Sequence, residues 1–443
     1  MSIINLLIYS PHLRIGIMLT TKETAMREMR VLQDGDWPDA ARIQAEAYPG
    51  IGVVTAEDLE SSQRNMMDWH EQPFVAFHGL FEDNKLLGIM RLHDFQMNLL
   101  STGTLTGGIG GVAVALLHKK EKVARDMLLY FLRHYRQQGA CMTALYPFRP
   151  DFYKQMGFGF GGKLNRYELA PKWLPNGRSK AHLTPLTPAD IQALHDCHQR
   201  YWQRTNGLFQ RTLPEWENFL KRPGWHCLGC QQGDQLLGYL IYSFQKRSPD
   251  NFLVNDLVIQ EWVYETPEAF LELSTFLHSQ ADQFDRLLYT TYDDTLHFIL
   301  PDPRNRGGRD SLLLPPSHES NVQAVGIMYR VIDVPRLFEV LAEHNFGGQT
   351  CRLKITVHDS FLPENEGSTV VWFAEGKPYV STHPEYEVAI EMDIAEFSSL
   401  VTGAITFEQL YHYGLAQISE KTAVPLITQL FRTNQKPICL SRF

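Results

Sequence analysis

Hydrophobic and polar positions along the chain set out one module and then a copy of it. From Phe74 the run FVAFHGLFEDNKLLGIMRLHDFQMNL gives two β-rich stretches joined by Glu82, Asp83 and Asn84, a hairpin signal. A glycine-rich run, GGIGG (107–111), and a strand, VAVALL (112–117), come next. Beyond a basic turn, Val123, Met127, Leu128, Phe131, Leu132 and Tyr135 recur at helical spacing and define one apolar face, with Gly139 as the stop. A further strand, CMTALYPF, leads into the aromatic and glycine-rich DFYKQMGFGF. Upstream, MREMRVLQDGDWPDAARIQAEAYPG predicts a short strand, a turn and an amphipathic helix beginning near Met26.

About 150 positions on, the order recurs. CLGCQQGDQLLGYLIYSF matches the hairpin, Leu236, Leu237 and Gly238 echoing Leu86, Leu87 and Gly88. FLVNDLVIQEWV then runs into a helix opened by Thr266 and Pro267. The second copy carries Glu261, Glu265 and Glu268 where the first has lysines, so an anionic phosphate chain is repelled there. After the proline-rich stretch 300–320 comes a third, α+β pattern. The fold class read this way is α/β (α+β), with an N-terminal extension (1–25), a first domain (26–172), a second (173–320) and a third (321–443).

Composition narrows the function. The chain has 443 residues, 44% of them hydrophobic, and a formal net charge of -9, which argues against a nucleic-acid partner and favours a cationic substrate. Six scattered cysteines fit a reducing cytoplasm. The one CxxC, Cys227 and Cys230, lacks a second pair or histidines at zinc spacing and reads as strand cysteines, so no metal is expected. No stretch approaches the roughly 20 apolar residues of a membrane span.

The chemistry gathers in HKKEKVA, His118 to Ala124, between a strand and a helix. Taken alone, three lysines there fit a solvated surface turn as well as a phosphate cradle. After a hairpin and a buried strand, the pattern resembles the acyl-coenzyme A site of Gcn5-related N-acetyltransferases. Together with FYKQMGFGF, the acidic second copy and the α+β tail, it resembles the Eis (enhanced intracellular survival) acetyltransferases from about Met26 onward. That resemblance implies two tandem acetyltransferase domains, only the first binding acetyl-CoA, and a domain similar to sterol carrier proteins. It implies transfer to primary amines of aminoglycoside-like or polyamine substrates and a symmetric homo-oligomer, commonly a hexamer.

Carried over by position, the cofactor strand falls on Val112, Ala113 and Val114. The pyrophosphate loop falls on Lys119, Lys120, Lys122, Val123 and Ala124, with Lys122 where the family has glycine and Glu121 adding a negative charge. A helical, outward-turned Lys122 leaves the cradle open; an inward one fills it. The family's general acid falls on Tyr153, which on its own reads more readily as a packing residue beside Phe152 and Phe158. The family's base is the carboxylate of the last residue, here Phe443, whose apolar approach Pro437–Leu440 suggests a docked tail rather than a frayed one. An impaired sensor on the same scaffold and a carrier of apolar ligands through the third domain are the alternative readings.

Overall fold

The protein is described by a computed structural model covering residues 27–305 and 316–443; the N-terminal extension lies outside the described residues. The first module runs β1 (Arg27–Val31), α1 (Trp37–Ala47), α2 (Ala56–His70), β2 (Val75–Glu82), β3 (Lys85–Leu99), β4 (Thr102–Val114), α3 (Val123–Gln137), β5 (Met142–Leu145), α4 (Pro150–Lys154) and β6 (Gly159–Phe160). The β2–β3 hairpin turns on Asp83 and Asn84, both left-handed at φ 49° and 64°. That is the tight primed turn whose twist matches the flanking strands. All six residues predicted for the apolar face of α3 are buried.

GGIGG is not a separate run before the strand: it lies inside β4. Gly107, Gly108 and Gly110 are there because neighbours pack directly on the backbone, and Gly111 because its φ is 58°. A β-carbon on Gly107 would sit 2.3 Å from the Tyr135 ring, and one on Gly108 would sit 2.4 Å from Phe95. Tyr135 is fully buried and donates its hydroxyl to Asp94 at 2.7 Å, so it has nowhere to retreat. Gly107→Ala is therefore expected to destabilise by about 1–3 kcal/mol. A thermal melt would show this as a fall of several degrees.

The second module repeats the first. The hairpin Trp225–Gln232 and Gln235–Lys246 is followed by Asn255–Tyr264, the helix Pro267–His278 and the parallel strand Leu287–Thr291. Two of its acidic residues are paired internally: Arg211 pairs with Glu261 at 2.5 Å, and Arg200 with Glu265 at 3.0 Å. Cys227 and Cys230 are free thiols on one strand, both pushed up by burial, and no metal-binding cluster occurs among the described residues.

Strands are exchanged between the modules. Lys163–Leu169 pairs in the second sheet, beside Leu287–Thr291 and Val322–Val325. Met328–Val331, which the sequence pattern sets at the head of the third region, pairs with β5 and β6 in the first sheet. A five-stranded sheet centred on Cys351–His358 forms the third domain. Its core, including Phe338, Phe373 and Phe397, runs into Phe95, Met97 and Phe209 of the first two, with Phe443 packed at the margin.

Candidate active site

The site begins where two parallel strands part. β4 and β5 pair from Thr106–Met142 to Ile109–Leu145 and no further. Beyond Ile109, β4 keeps β3 on one side only. Ala115 donates to Leu87, so alternation turns the main-chain groups of Val112 and Val114 toward the opening. Ala113 is buried against the α1 side, contributing packing rather than a polar group. Tyr48, at the end of α1, reaches across and donates its hydroxyl to the Val112 carbonyl at 2.6 Å.

The basic turn closes one end of this opening. Lys122 takes the left-handed conformation, φ 65° and ψ 10°, and so does Lys120, φ 68°. The lysine is thus neither helical nor turned inward: it is exposed and holds the backbone shape a glycine would supply. No side chain caps α3, leaving its first N–H groups without an internal cap. Val123 is sealed in the core and Ala124 is half-buried.

Glu121 is drawn aside. Its carboxylate meets His118 Nδ1 at 2.9 Å, while His118 Nε2 lies 3.2 Å from Lys85 Nζ. Lysine can only donate, so His118 presents its Nδ1–H to Glu121. Arg27 ties the Glu121 carbonyl to β1 at 3.0 Å. Among the described residues no carboxylate pairs with Lys119, Lys120 or Lys122, which leaves three exposed ammonium groups around an uncapped helix start.

Tyr153 sits on α4 at the other side of the opening. It is buried, with Phe148, Phe152 and Phe158 at 5.9, 5.2 and 6.0 Å between ring centroids. Burial, reinforced by nearby Tyr48, pushes its phenol well above the usual tyrosine range, so it stays protonated.

The chain's last residue enters from the third domain. Ile438 donates to the Asn206 carbonyl at 2.8 Å, and Tyr146 donates to the Ser441 carbonyl at 3.1 Å. Cys439 is buried, and Gly207, at φ 83°, lets Pro437 lie against its backbone. The Phe443 ring then packs among Phe95, His93, Tyr146 and Phe209, with centroids 4.8–5.8 Å away. Its carboxyl carbon stands 2.9 Å from the point a β-carbon on Gly110 would occupy, and Arg91 Nη2 stands 3.3 Å from the same point. Arg91 in turn donates Nε–H to His93 at 2.9 Å, and burial holds His93 well below the usual imidazole range. The terminal carboxylate and the Arg91 guanidinium therefore flank Gly110, at the mouth of the strand opening.

A cavity of about 550 Å³ opens onto this carboxylate, walled by Trp69, Phe74, Phe219 and Trp225 with Cys439–Phe443 as its floor. Tyr48, Arg91, Gly110 and Asn206 were not singled out from the sequence. Only Gly110, within a run that is glycine-rich for packing reasons, carried a signal.

This strand opening, with a helix start at one end, lies in a segment matched by a known family. Residues 28–161 match an acetyltransferase (GNAT) domain, residues 201–331 match a second such domain, and residues 337–440 match a sterol carrier protein domain. This is a tandem GNAT acetyltransferase with an Eis-like domain order. Solved structures share the fold across nearly the whole chain. A GCN5-related N-acetyltransferase from Anabaena variabilis is 20% identical (TM-score 0.78), covering 94% of this chain and 100% of its own. One from Kribbella flavida is 18% identical (TM-score 0.75), with 94% and 100% covered. Eis1 from Mycobacterium abscessus is 17% identical (TM-score 0.73), with the same coverage. No curated protein matches the chain in sequence. No helix among the described residues of this acyltransferase is long and apolar enough to cross a membrane.

Proposed function

We propose that the chain is an acetyl-CoA-dependent N-acetyltransferase acting on a primary amine of a small molecule, with Tyr153 as general acid and the Phe443 carboxylate as general base. Acetyl-CoA supplies the acetyl group as a thioester. The edge of β4 at Val112 and Val114, unpaired with another strand and met by Tyr48 at the Val112 carbonyl, offers amide partners to an extended pantetheine, and the lysines with the start of α3 offer positive charge to a pyrophosphate. Phe443 takes the ammonium proton, which at pH 7 is present on all but about one amine in a thousand. Tyr153, held protonated by burial, gives a proton to the departing sulfur. The observation that carries this reading is the terminal carboxylate beside Gly110, at the mouth of the opening.

Isothermal titration with acetyl-CoA tests the cofactor half. Binding is expected, and no heat at millimolar cofactor would overturn the reading. Lys122→Gly refines the test, because its two effects have opposite signs. Relieving a left-handed lysine is expected to stabilise the fold by roughly 1 kcal/mol. Losing one exposed ammonium should weaken acetyl-CoA by up to about fivefold, or ~1 kcal/mol. A melt and a titration on one sample read both.

A further inference from the structure

The charges lining the cavity at the Phe443 carboxylate do not follow the chain's net charge. Its two acidic side chains, Glu215 and Glu261, are already engaged. Glu215 caps its own helix, Leu213–Leu220, accepting from Thr212 N at 2.7 Å and Thr212 Oγ1 at 2.9 Å. Glu261 accepts from both Arg211 nitrogens, at 3.2 and 2.5 Å, and from the Tyr239 hydroxyl at 3.0 Å. Two other lining residues are arginines, Arg222 and Arg442, both exposed and with no carboxylate partner among the described residues. Arg222 lies over Trp225, 4.7 Å from the ring, beside Phe219. The unpaired charges among the cavity's lining residues are therefore two guanidiniums and the terminal carboxylate, beside an aromatic wall.

A polycation would meet two unpaired positive charges and a single negative one. An amine with an anionic group has a partner for each charge: the ammonium faces Phe443 and the anion meets a guanidinium. Trp69, Phe74, Phe219 and Trp225 suit a flat apolar body attached to both. We infer that the acceptor is an aliphatic primary amine carrying both an aromatic group and a carboxylate, with Arg222 and Arg442 as the residues that select it. This rests on the transferase reading above.

Tryptophan and tryptamine differ only by the carboxylate and make the matched probes, with spermidine as the polycation. On the full chain saturated with acetyl-CoA or CoA, tryptophan is expected to bind, and to be acetylated, at least about 10-fold better than tryptamine. Spermidine is expected to rank below both. Arg222→Gln is expected to cut the tryptophan-to-tryptamine ratio at least about threefold, and Arg222→Lys to restore part of it. Wild-type acetyl-CoA affinity in each variant shows that it is folded. Transfer that favours tryptamine or spermidine, a ratio unmoved by Arg222→Gln, or no binding of tryptophan overturns the acceptor assignment and leaves the transferase intact. Arginine-dependent binding of tryptophan without transfer to any amine overturns the transferase and leaves the pocket's preference standing.

Discussion

Deleting Phe443 is expected to lower kcat by about 10²–10⁴-fold while leaving acetyl-CoA affinity unchanged, the loss associated with removing a positioned general base. The deletion retracts the terminal carboxylate by one residue, about 3.8 Å along the chain, and takes it away from Gly110. It also removes a ring that packs on His93, Phe95, Tyr146 and Phe209, so a lost anchor and a lost charge are confounded. Adding one alanine after Phe443 separates them, since the ring is kept while the carboxylate beside Gly110 becomes a neutral amide and the terminal charge moves about 3.8 Å further along the chain. The extended protein is expected to lose activity to a similar degree with its melting temperature nearly unchanged. Normal transfer rates in both variants would show that the proton leaves the amine by another route. The ring contacts of Phe443 include neither Val112–Val114 nor the lysine loop, which makes acetyl-CoA titration the control for folding.

How far the sequence could be read depended on whether a feature was local. The α3 face was legible because six buried side chains at helical spacing record one helix against one sheet. The hairpin was legible because Asp83 and Asn84 accept left-handed conformations easily. Strand exchange was not: nothing in KLNRYEL (Lys163–Leu169) or MYRV (Met328–Val331) chooses between the two sheets, and partner choice is a long-range matter. GGIGG was misplaced because glycine usually marks a break, whereas here Tyr135, Phe95 and the chain terminus press against the strand. The loop at Lys122 inverted an expectation, since lysine seldom adopts positive φ and nothing local announces it. Arg91 could not be anticipated either: its place beside the terminal carboxylate depends on a tail that follows it by some 350 residues.

Tyr153→Phe isolates the acid. The phenol hydroxyl has no hydrogen-bond partner given by the protein's described residues, while the ring keeps its contacts with Phe148, Phe152 and Phe158. The substitution removes one oxygen and leaves packing intact, so the melting temperature is expected to stay within about 1 kcal/mol equivalent of wild type. A fall in kcat of about 10²–10⁴-fold is expected alongside it. The pH profile supplies a second readout whose sign follows from burial. A phenol held above its usual range remains in its acid form as pH rises, so Tyr153 adds no falling limb below about pH 10. Deprotonation of the acceptor amine meanwhile increases over the same range, and the wild-type rate is expected to climb into mildly alkaline solution. A falling limb between pH 7 and 9, unchanged in Tyr153→Phe, would assign the leaving-group proton to a different residue.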